Sequence, residues 1–285
     1  MTALVTGARG AFARALIPKL EDSLKTDVVQ VVRHLGDRSS EVECDLSDKA
    51  AVEKMISRTK PKFIYHLAGS FAGDFETDIL VNAYCSKWIF DELIRLKLDC
   101  RVVVVGSAAE YGMVAESENP VSETHSLNPV SVYGLTKVIQ TQIAKYYAST
   151  QKLDVVVARV FNLAGEGLSQ RLFYGRLLSM VDLYKRKEIE KLSFGNLDAV
   201  RDYIDFDQAI EQIFSIANRG IKGEVYNVGS GVPVRMKDIL NKVLVKNNIP
   251  LDCVELAAQY QKRFGDVPVI YADIKKVSAL LEVTA

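Results

Sequence analysis

A phenol and a primary amine stand four residues apart in Tyr133-Gly134-Leu135-Thr136-Lys137, a spacing that puts both on one face of a helix, one turn apart. An isolated phenol titrates near pH ~10. A fixed ammonium beside it favours the phenolate, so Lys137 is expected to draw Tyr133 toward the range where it can give and take a proton at neutral pH. Alone, such a pair arises by chance on many exposed helices. Two companions give it weight: Ser107, which follows the apolar run 102–105 and Gly106, and the Gly-rich segment 6–13. A hydroxyl at the carboxyl edge of a buried strand can hold a substrate oxygen while Tyr133 protonates it, and Lys137 can also reach the ribose of a bound cofactor.

The Gly-rich segment follows a short apolar strand at once and opens a helix. Gly7 and Gly10 let the backbone turn sharply and approach a pyrophosphate, whose charge is welcomed by the free N–H groups of the helix start at Arg9, Ala11 and Phe12. Ala13, where a third glycine is usual, is still small enough for close packing. The second apolar run ends in Arg33-His34, where an NAD site would commonly place an acid for the ribose 2′-hydroxyl. Cations there suit a 2′-phosphate, and Arg9 and Arg38 add to the charge, so NADP(H) is favoured over NAD(H). Asp45, after a short third strand, is placed to meet the adenine amino group. A cap on the following helix, from Asp45 or Ser47, is an equal alternative.

The elements that must position these groups are legible as rhythm. Strand-length apolar runs at 3–6, 28–32, 63–67, 101–105 and 154–158 alternate with amphipathic stretches such as 78–96 and 133–149, which predicts a parallel sheet covered by helices on both faces. Beyond Asn162 the pattern shifts to helical stretches at 172–186, 208–216, 236–245 and 254–261, joined by strand-like pieces at 225–228 and 269–271. The division expected is residues 1–162 for the dinucleotide and 163–285 mainly for the substrate, with part of 196–228 returning to the first unit. With 285 residues, 48% of them hydrophobic, and 36 basic against 36 acidic side chains, the chain has ample core. It lacks the basic surplus of a nucleic-acid or anionic-membrane binder. No apolar run reaches the ~20 residues of a membrane helix, and the first residues do not read as a signal peptide. Cys44, Cys85, Cys100 and Cys253 stand singly, which suggests neither a metal site nor disulfides and fits a reducing cytoplasm.

Taken together, the 7–13 loop, Leu67-Ala68-Gly69, Ser107-Ala108-Ala109-Glu110-Tyr111-Gly112, 133–137 and Arg159-Val160-Phe161-Asn162 resemble the extended short-chain dehydrogenases/reductases, the NAD-dependent epimerase/dehydratase family, in order and approximate spacing. The resemblance implies a Rossmann-type doubly wound α/β fold with a smaller C-terminal substrate-binding lobe, and a nucleotide-sugar substrate. It implies cofactor contacts from Leu46, Leu67, Ala68, Gly69 and Asn82 besides the Gly-rich loop, Tyr133 and Lys137. Asn162, Arg201 and Arg263 are implied on the substrate diphosphate, where a guanidinium fork matches phosphate oxygens. Pairing of 78–96 and 133–149 across subunits implies a homodimer.

Residues 195–202 resemble a segment of the GDP-mannose dehydratases and GDP-6-deoxy-4-keto-hexose reductases, and 110–113 with 120–123 resemble the GDP-4-keto-6-deoxy-mannose reductases. Dehydratases of the family carry acids just after the serine or threonine, whereas here Ala108 and Ala109 offer only methyl groups, which move no protons. Glu110 reads as structural, aimed away by the pleat of a strand. The expectation is therefore reduction of a C4 ketone on a nucleotide-linked 4-keto-6-deoxyhexose, GDP-linked, in deoxysugar biosynthesis. An epimerase with tightly bound NAD uses the same relay and is the nearest rival. A non-catalytic dinucleotide-binding regulator would have no need of it.

Overall fold

A computed structural model of the chain describes residues 2–25, 28–36, 38–256 and 267–282. Its strands are β1 (Ala3–Thr6), β2 (Val28–Val32), β3 (Glu41–Glu43), β4 (Phe63–His66), β5 (Arg101–Ser107), β6 (Val155–Val160), β7 (Asn162–Ala164), β8 (Leu192–Phe194), β9 (Val200–Asp205), β10 (Val225–Val228), β11 (Pro233–Arg235), β12 (Val254–Leu256) and β13 (Val269–Ile270). Its α-helices are α1 (Ala11–Leu24), α2 (Lys49–Thr59), α3 (Phe75–Ile79), α4 (Cys85–Arg95), α5 (Val132–Thr150), α6 (Phe173–Lys185), α7 (Phe206–Arg219), α8 (Met236–Lys246) and α9 (Lys275–Leu281).

Runs that are apolar at nearly every position need cover on both faces. They form a seven-stranded parallel sheet in the order β10-β6-β5-β4-β1-β2-β3. On one face Phe12, Leu16 and Leu20 of α1, Ile210 and Ile213 of α7 and Val277 of α9 close the core. On the other, Val52 and Met55 of α2, Ile89 and Phe90 of α4 and Ala144 and Tyr147 of α5 do so. The chain lays strands one way from β1 through β2 to β3 and the other way from β4 onward, so a crevice opens at the carboxyl ends of β1 and β4, where doubly wound sheets bind ligands.

The remaining strands build smaller sheets. β9 pairs with β7, β11 and β13, and β8 pairs with β12; α6 and α8 pack over Leu192 and Phe194 through Leu177, Val181, Leu240 and Leu244. Asp202, fully buried on β9, accepts from the Ser230 N–H and hydroxyl (both 2.7 Å), the Gly231 N–H (2.9 Å) and the Ala272 N–H (3.1 Å). One carboxylate thereby ties β9 to the turn after β10 and to the segment after β13.

Two expectations need correction. Residues 254–256 are strand, not helix: Val254-Glu255-Leu256 pair in parallel register with Leu192-Ser193-Phe194, and a ladder partner outweighs weak helical patterning in so short a piece. Residues 257–261 of that stretch lie outside the described residues. The helix expected over 78–96 begins earlier, at Phe75, where Asp74 caps it by accepting from the Thr77 N–H (2.9 Å), and α3 and α4 are joined by a π turn, Leu80–Tyr84. Among the described residues no helix is long and apolar enough to cross a membrane.

Candidate active site and dinucleotide cleft

β1 stops at Thr6 because Gly7 turns at φ +67°, a conformation L side chains rarely adopt. A β-carbon there would stand 2.9 Å from the Ala68 Cα, so the loop after β1 touches the loop after β4. Thr6 and His66 lock that contact from below: the Thr6 hydroxyl lies 2.7 Å from His66 Nδ1 and accepts the Ala68 N–H at 3.1 Å. Burial pushes the His66 imidazole down to about 3, leaving it neutral. Gly10 closes the turn on the Gly7 carbonyl (2.9 Å) and stands as the N-cap of α1 without a side-chain cap, so the first N–H groups of α1 remain for a ligand. Above lies a cleft of about 270 Å³ lined by Gly7, Ala8, Arg9, Gly10, Val31, Val32, Arg33, His34, Cys44, Leu46, Ala68, Gly69 and Val81. Uncapped N–H groups beside a cradle that a single β-carbon would fill fit a dinucleotide's pyrophosphate.

Of the other expected contacts, Ala11 opens α1, whereas the Phe12 ring turns into the core, edge-on to Phe206 at 5.5 Å, which leaves only its backbone for a ligand. Leu67 also packs on the core. Asn82 is fully buried and engaged within the protein: its side chain accepts the Ser70 N–H (2.7 Å) and donates to the Ser70 carbonyl (3.0 Å) and the Thr136 hydroxyl (2.9 Å). It braces the loop after β4 against α5, with both amide N–H bonds spent within the protein.

At the ribose end the basic residues have acidic neighbours. Arg9 pairs with Glu41 (3.2 Å), Arg33 lies 3.9 Å from Asp45, and His34 lies 3.7 Å from Glu43. The Gly36 N–H, followed by Arg9, holds the Glu41 carboxyl below its usual range. Arg38 adds to the same effect. Glu41 escaped the sequence reading because its partner is 32 residues away in the chain. Asp45 accepts from the backbone and hydroxyl of Ser47 (2.9 and 2.7 Å). It does not cap α2, nor does Ser47: the cap is Asp48, which accepts the Ala50 N–H at 2.9 Å.

The three relay candidates do converge. β5 runs two residues past its expected end and delivers Ser107 at the sheet's carboxyl edge. Ser131 caps α5 by accepting the Gly134 N–H (3.0 Å), a contribution of about 1 kcal/mol. A β-carbon on Gly134 would collide with the Ala109 carbonyl oxygen, so the bare glycine is what lets the start of α5 settle on the 108–110 turn. Tyr133 is thereby brought near enough to Ser107 for the serine hydroxyl to bear on the phenol's titration. Lys137, almost wholly buried, donates from Nζ to the Val105 carbonyl (2.7 Å) and to Gln140 Oε1 (2.6 Å), with Nζ 6.0 Å from the centre of the Tyr133 ring.

The charge effect runs opposite to the expectation. Burial pushes the Tyr133 phenol up to about 12, with the Ser107 hydrogen bond opposing and Glu110 and Asp78 reinforcing the rise. Burial brings the Lys137 ammonium down to about 8, with Glu110 opposing. With Nζ committed to Val105 and Gln140, lysine does not offset the desolvation of the phenol, and Tyr133 is protonated at neutral pH.

On the opposite side, Asn162 on β7 donates to the Asp202 carbonyl (3.0 Å). Arg201 on β9 donates to the Val200 and Pro268 carbonyls (2.9 and 3.4 Å). They sit on paired strands, in which Asn162 faces Tyr203. Arg263 lies outside the described residues. Sequence reading also passed over Phe71, whose ring stands edge-on to Tyr133 at 5.0 Å. Asp78, fully buried, holds the loop bearing Phe71 by accepting the Ala72 and Gly73 N–H groups (2.8 and 3.1 Å), and Arg171 donates to the Phe71 carbonyl (2.5 Å). Phe71 and Asp78 carry no motif, since each matters only through contacts made in three dimensions.

A family model described as the NAD dependent epimerase/dehydratase family matches residues 3–229. A GDP-6-deoxy-D-talose 4-dehydrogenase from Aggregatibacter actinomycetemcomitans is 27% identical over 290 residues, covering 99% of this chain and 91% of that protein. Two solved structures share the fold. A dTDP-glucose 4,6-dehydratase from Streptomyces venezuelae with NAD and TYD bound has a TM-score of 0.85 at 19% identity, covering 98% of this chain and 90% of that one. RMD from Pseudomonas aeruginosa complexed with NADPH has a TM-score of 0.83 at 20% identity, covering 98% of this chain and 91% of that one.

The tightness at Gly7 is testable. Gly7→Ala places a side chain in the left-handed region and against Ala68, a strain of ~1–3 kcal/mol that a bound dinucleotide would have to bear. NADPH and NADH affinity, measured by calorimetry, is expected to fall about tenfold or more while the far-UV dichroism stays the same. Unaltered affinity would remove Gly7 from the cofactor cradle.

Proposed function

This chain belongs to the NAD dependent epimerase/dehydratase family, and we propose that it reduces the C4 ketone of a nucleotide-linked 4-keto-6-deoxyhexose. At the coarser level it is an NAD(P)-dependent nucleotide-sugar-modifying enzyme of that family. The observation that carries the finer reading is the pairing of a protonated phenol with an aliphatic flank. Tyr133 is held in its acid form, which is what a ketone needs on becoming an alkoxide. The residues after Ser107 are Ala108 and Ala109, with no acid or base to remove water from the sugar.

Bound reduced nicotinamide supplies the hydride, and the remaining work falls to this chain. Ser107 Oγ accepts the Ala109 N–H (3.2 Å), which leaves its own proton to hold the ketone oxygen. Tyr133 Oη gives that oxygen its proton. Lys137 spends two of its three N–H bonds on Val105 and Gln140, and the third suits the nicotinamide ribose. Asn162 and Arg201 would meet the diphosphate, together with Arg263. GDP is favoured by the resemblance of 195–202 and by the talose 4-dehydrogenase relative. Whether the product is of the talose or the rhamnose series depends on which face of the ketone receives hydride.

Four measurements check this reading. Purified protein with NADPH or NADH is offered GDP-, dTDP-, UDP- and CDP-linked 4-keto-6-deoxy sugars. Stoichiometric oxidation of the cofactor supports the reductase, interconversion without net oxidation supports an epimerase, and binding without turnover supports a regulator. Tyr133→Phe should lower turnover about 100-fold or more with little change in cofactor affinity. NADPH is favoured because Arg9, Arg33 and His34 line one end of the cleft. Arg33→Ala should cut the preference for NADPH over NADH about tenfold, the worth of one charge-assisted bond, and an unchanged ratio would sink that assignment. A homodimer is supported by exposed aromatic and aliphatic groups on the helices expected to pair: Tyr84 stacked on Trp88 at 6.0 Å, and Leu135 and Tyr146 on α5. Tyr146→Glu should sediment as a monomer where the parent sediments as a dimer, and a monomeric parent would refute the pairing.

A further inference from the structure

Glu110 has no solvent exposure and lies in the 3₁₀ turn directly beneath the end of β5. Its Oε1 accepts the Ser107 N–H at 2.8 Å. Its Oε2 accepts the Thr141 hydroxyl (2.8 Å) and Nε and Nη2 of Arg159 (3.1 and 2.8 Å). Room for the carboxylate exists because position 106 is glycine: a β-carbon there would stand 2.5 Å from Oε1. The aim expected from a strand's pleat is thus replaced by a turn that folds the side chain back under its own strand. Arg159 also lies 4.6 Å over the Tyr111 ring. A buried ion pair adds little stability over apolar side chains of similar volume, so the fold alone gives no reason for this one.

We propose that Glu110 is a positioning residue for the relay, fixing the Ser107 backbone and setting its carboxylate within reach of Tyr133 and Lys137. The proposal rests on reading those three residues as the relay. A backbone N–H anchored by a buried, doubly paired carboxylate is held more rigidly than one bonded to water, and the Ser107 hydroxyl is aimed from that backbone. The charge has a sign that can be followed. Negative charge favours the protonated forms of both neighbours, and Glu110 raises both the Tyr133 phenol and the Lys137 ammonium. The other titratable or charged groups packed around this cluster are Arg159 on β6, Tyr111 beyond the turn, Asp78 on α3, which also raises Tyr133, and His66 on β4, which is neutral. Desolvation brings the Lys137 ammonium down to about 8, and Glu110 opposes that fall.

The test follows Lys137 directly, by ¹³C NMR of protein labelled at lysine Cε, with the resonance assigned by its loss in Lys137→Ala. Two variants are compared with the parent. Glu110→Gln removes the charge but leaves Arg159 unpaired; the double variant Glu110→Leu with Arg159→Met removes both charges and keeps the volume apolar, so it is the safer folder. In Glu110→Gln the Lys137 titration is expected to move down by about one unit, and in the double variant, which also loses the opposing Arg159 cation, by less; the alkaline limb of the turnover profile should move with it. Turnover should fall about tenfold through the loosened serine, with dinucleotide affinity unchanged. Folded variants whose Lys137 titrates where the parent's does would overturn the proposal, even if turnover dropped. The titration needs no substrate, so it stands or falls separately from the sugar panel. Failure of the relay reading itself would show instead as full turnover by Tyr133→Phe.

Discussion

The contact between Gly134 and the Ala109 carbonyl oxygen is the constraint on which the rest of the site depends. Ser107 arrives at the end of a strand and Tyr133 at the start of a helix, and neither element determines where the other lies. They meet because α5 can sit directly on the 108–110 turn, which a single β-carbon at position 134 would prevent. The same principle operates at Gly7 and Ala68 on the cofactor side. In both places the absence of a side chain sets the distance between two loops at the sheet's carboxyl edge, and groups placed at that distance can then share a ligand. Close backbone approach is a form of preorganisation that costs conformational entropy in the unfolded chain and nothing during turnover.

Around these contacts the buried polar groups are arranged in chains, each link of which satisfies the one before. Thr6 serves His66 and Ala68; Asn82 serves Ser70 and Thr136; Glu110 serves Ser107, Thr141 and Arg159; Asp202 serves Ser230, Gly231 and Ala272. The first three each join a loop at the carboxyl edge of the sheet to a residue on another element. That explains how loops, ordinarily the mobile parts of a fold, can hold a relay in register. It also separates two kinds of side chain that look alike in sequence: Asn82 and Asp78 spend their oxygens on the backbone of the loop after β4, whereas Ser107 and Tyr133 are the groups proposed to meet a substrate.

The sheet was readable in the sequence because its strands are apolar on both faces, a pattern few other structures produce; the bounds of β1, β2 and β10 follow directly from it. The nearness of Tyr133 and Lys137 was readable because one helical turn fixes the relation between them. What escaped depends on relations that periodicity does not encode. Glu41 and Arg9, Asp78 and the 72–73 backbone, and Arg171 and Phe71 are pairs made by topology. The strand at 254–256 exists because β8 lies beside it, not because Val-Glu-Leu favours it. The sign of the Tyr133 shift also escaped, since it depends on how deeply the phenol is buried and on where Nζ points, and a four-residue spacing specifies neither.

That sign has a limited reach. A phenol is protonated at neutral pH at its ordinary value as well, so burial adds only a greater reluctance to part with the proton. The same group must give the proton in one direction and take it in the other, and the shift therefore does not choose between reduction and epimerisation. The two alanines after Ser107 then leave that acid without a partner for elimination, and the next carboxylate along the chain, Glu110, is folded under the strand and bound to Arg159, where it can influence the proton on Tyr133 but cannot reach a sugar to take one.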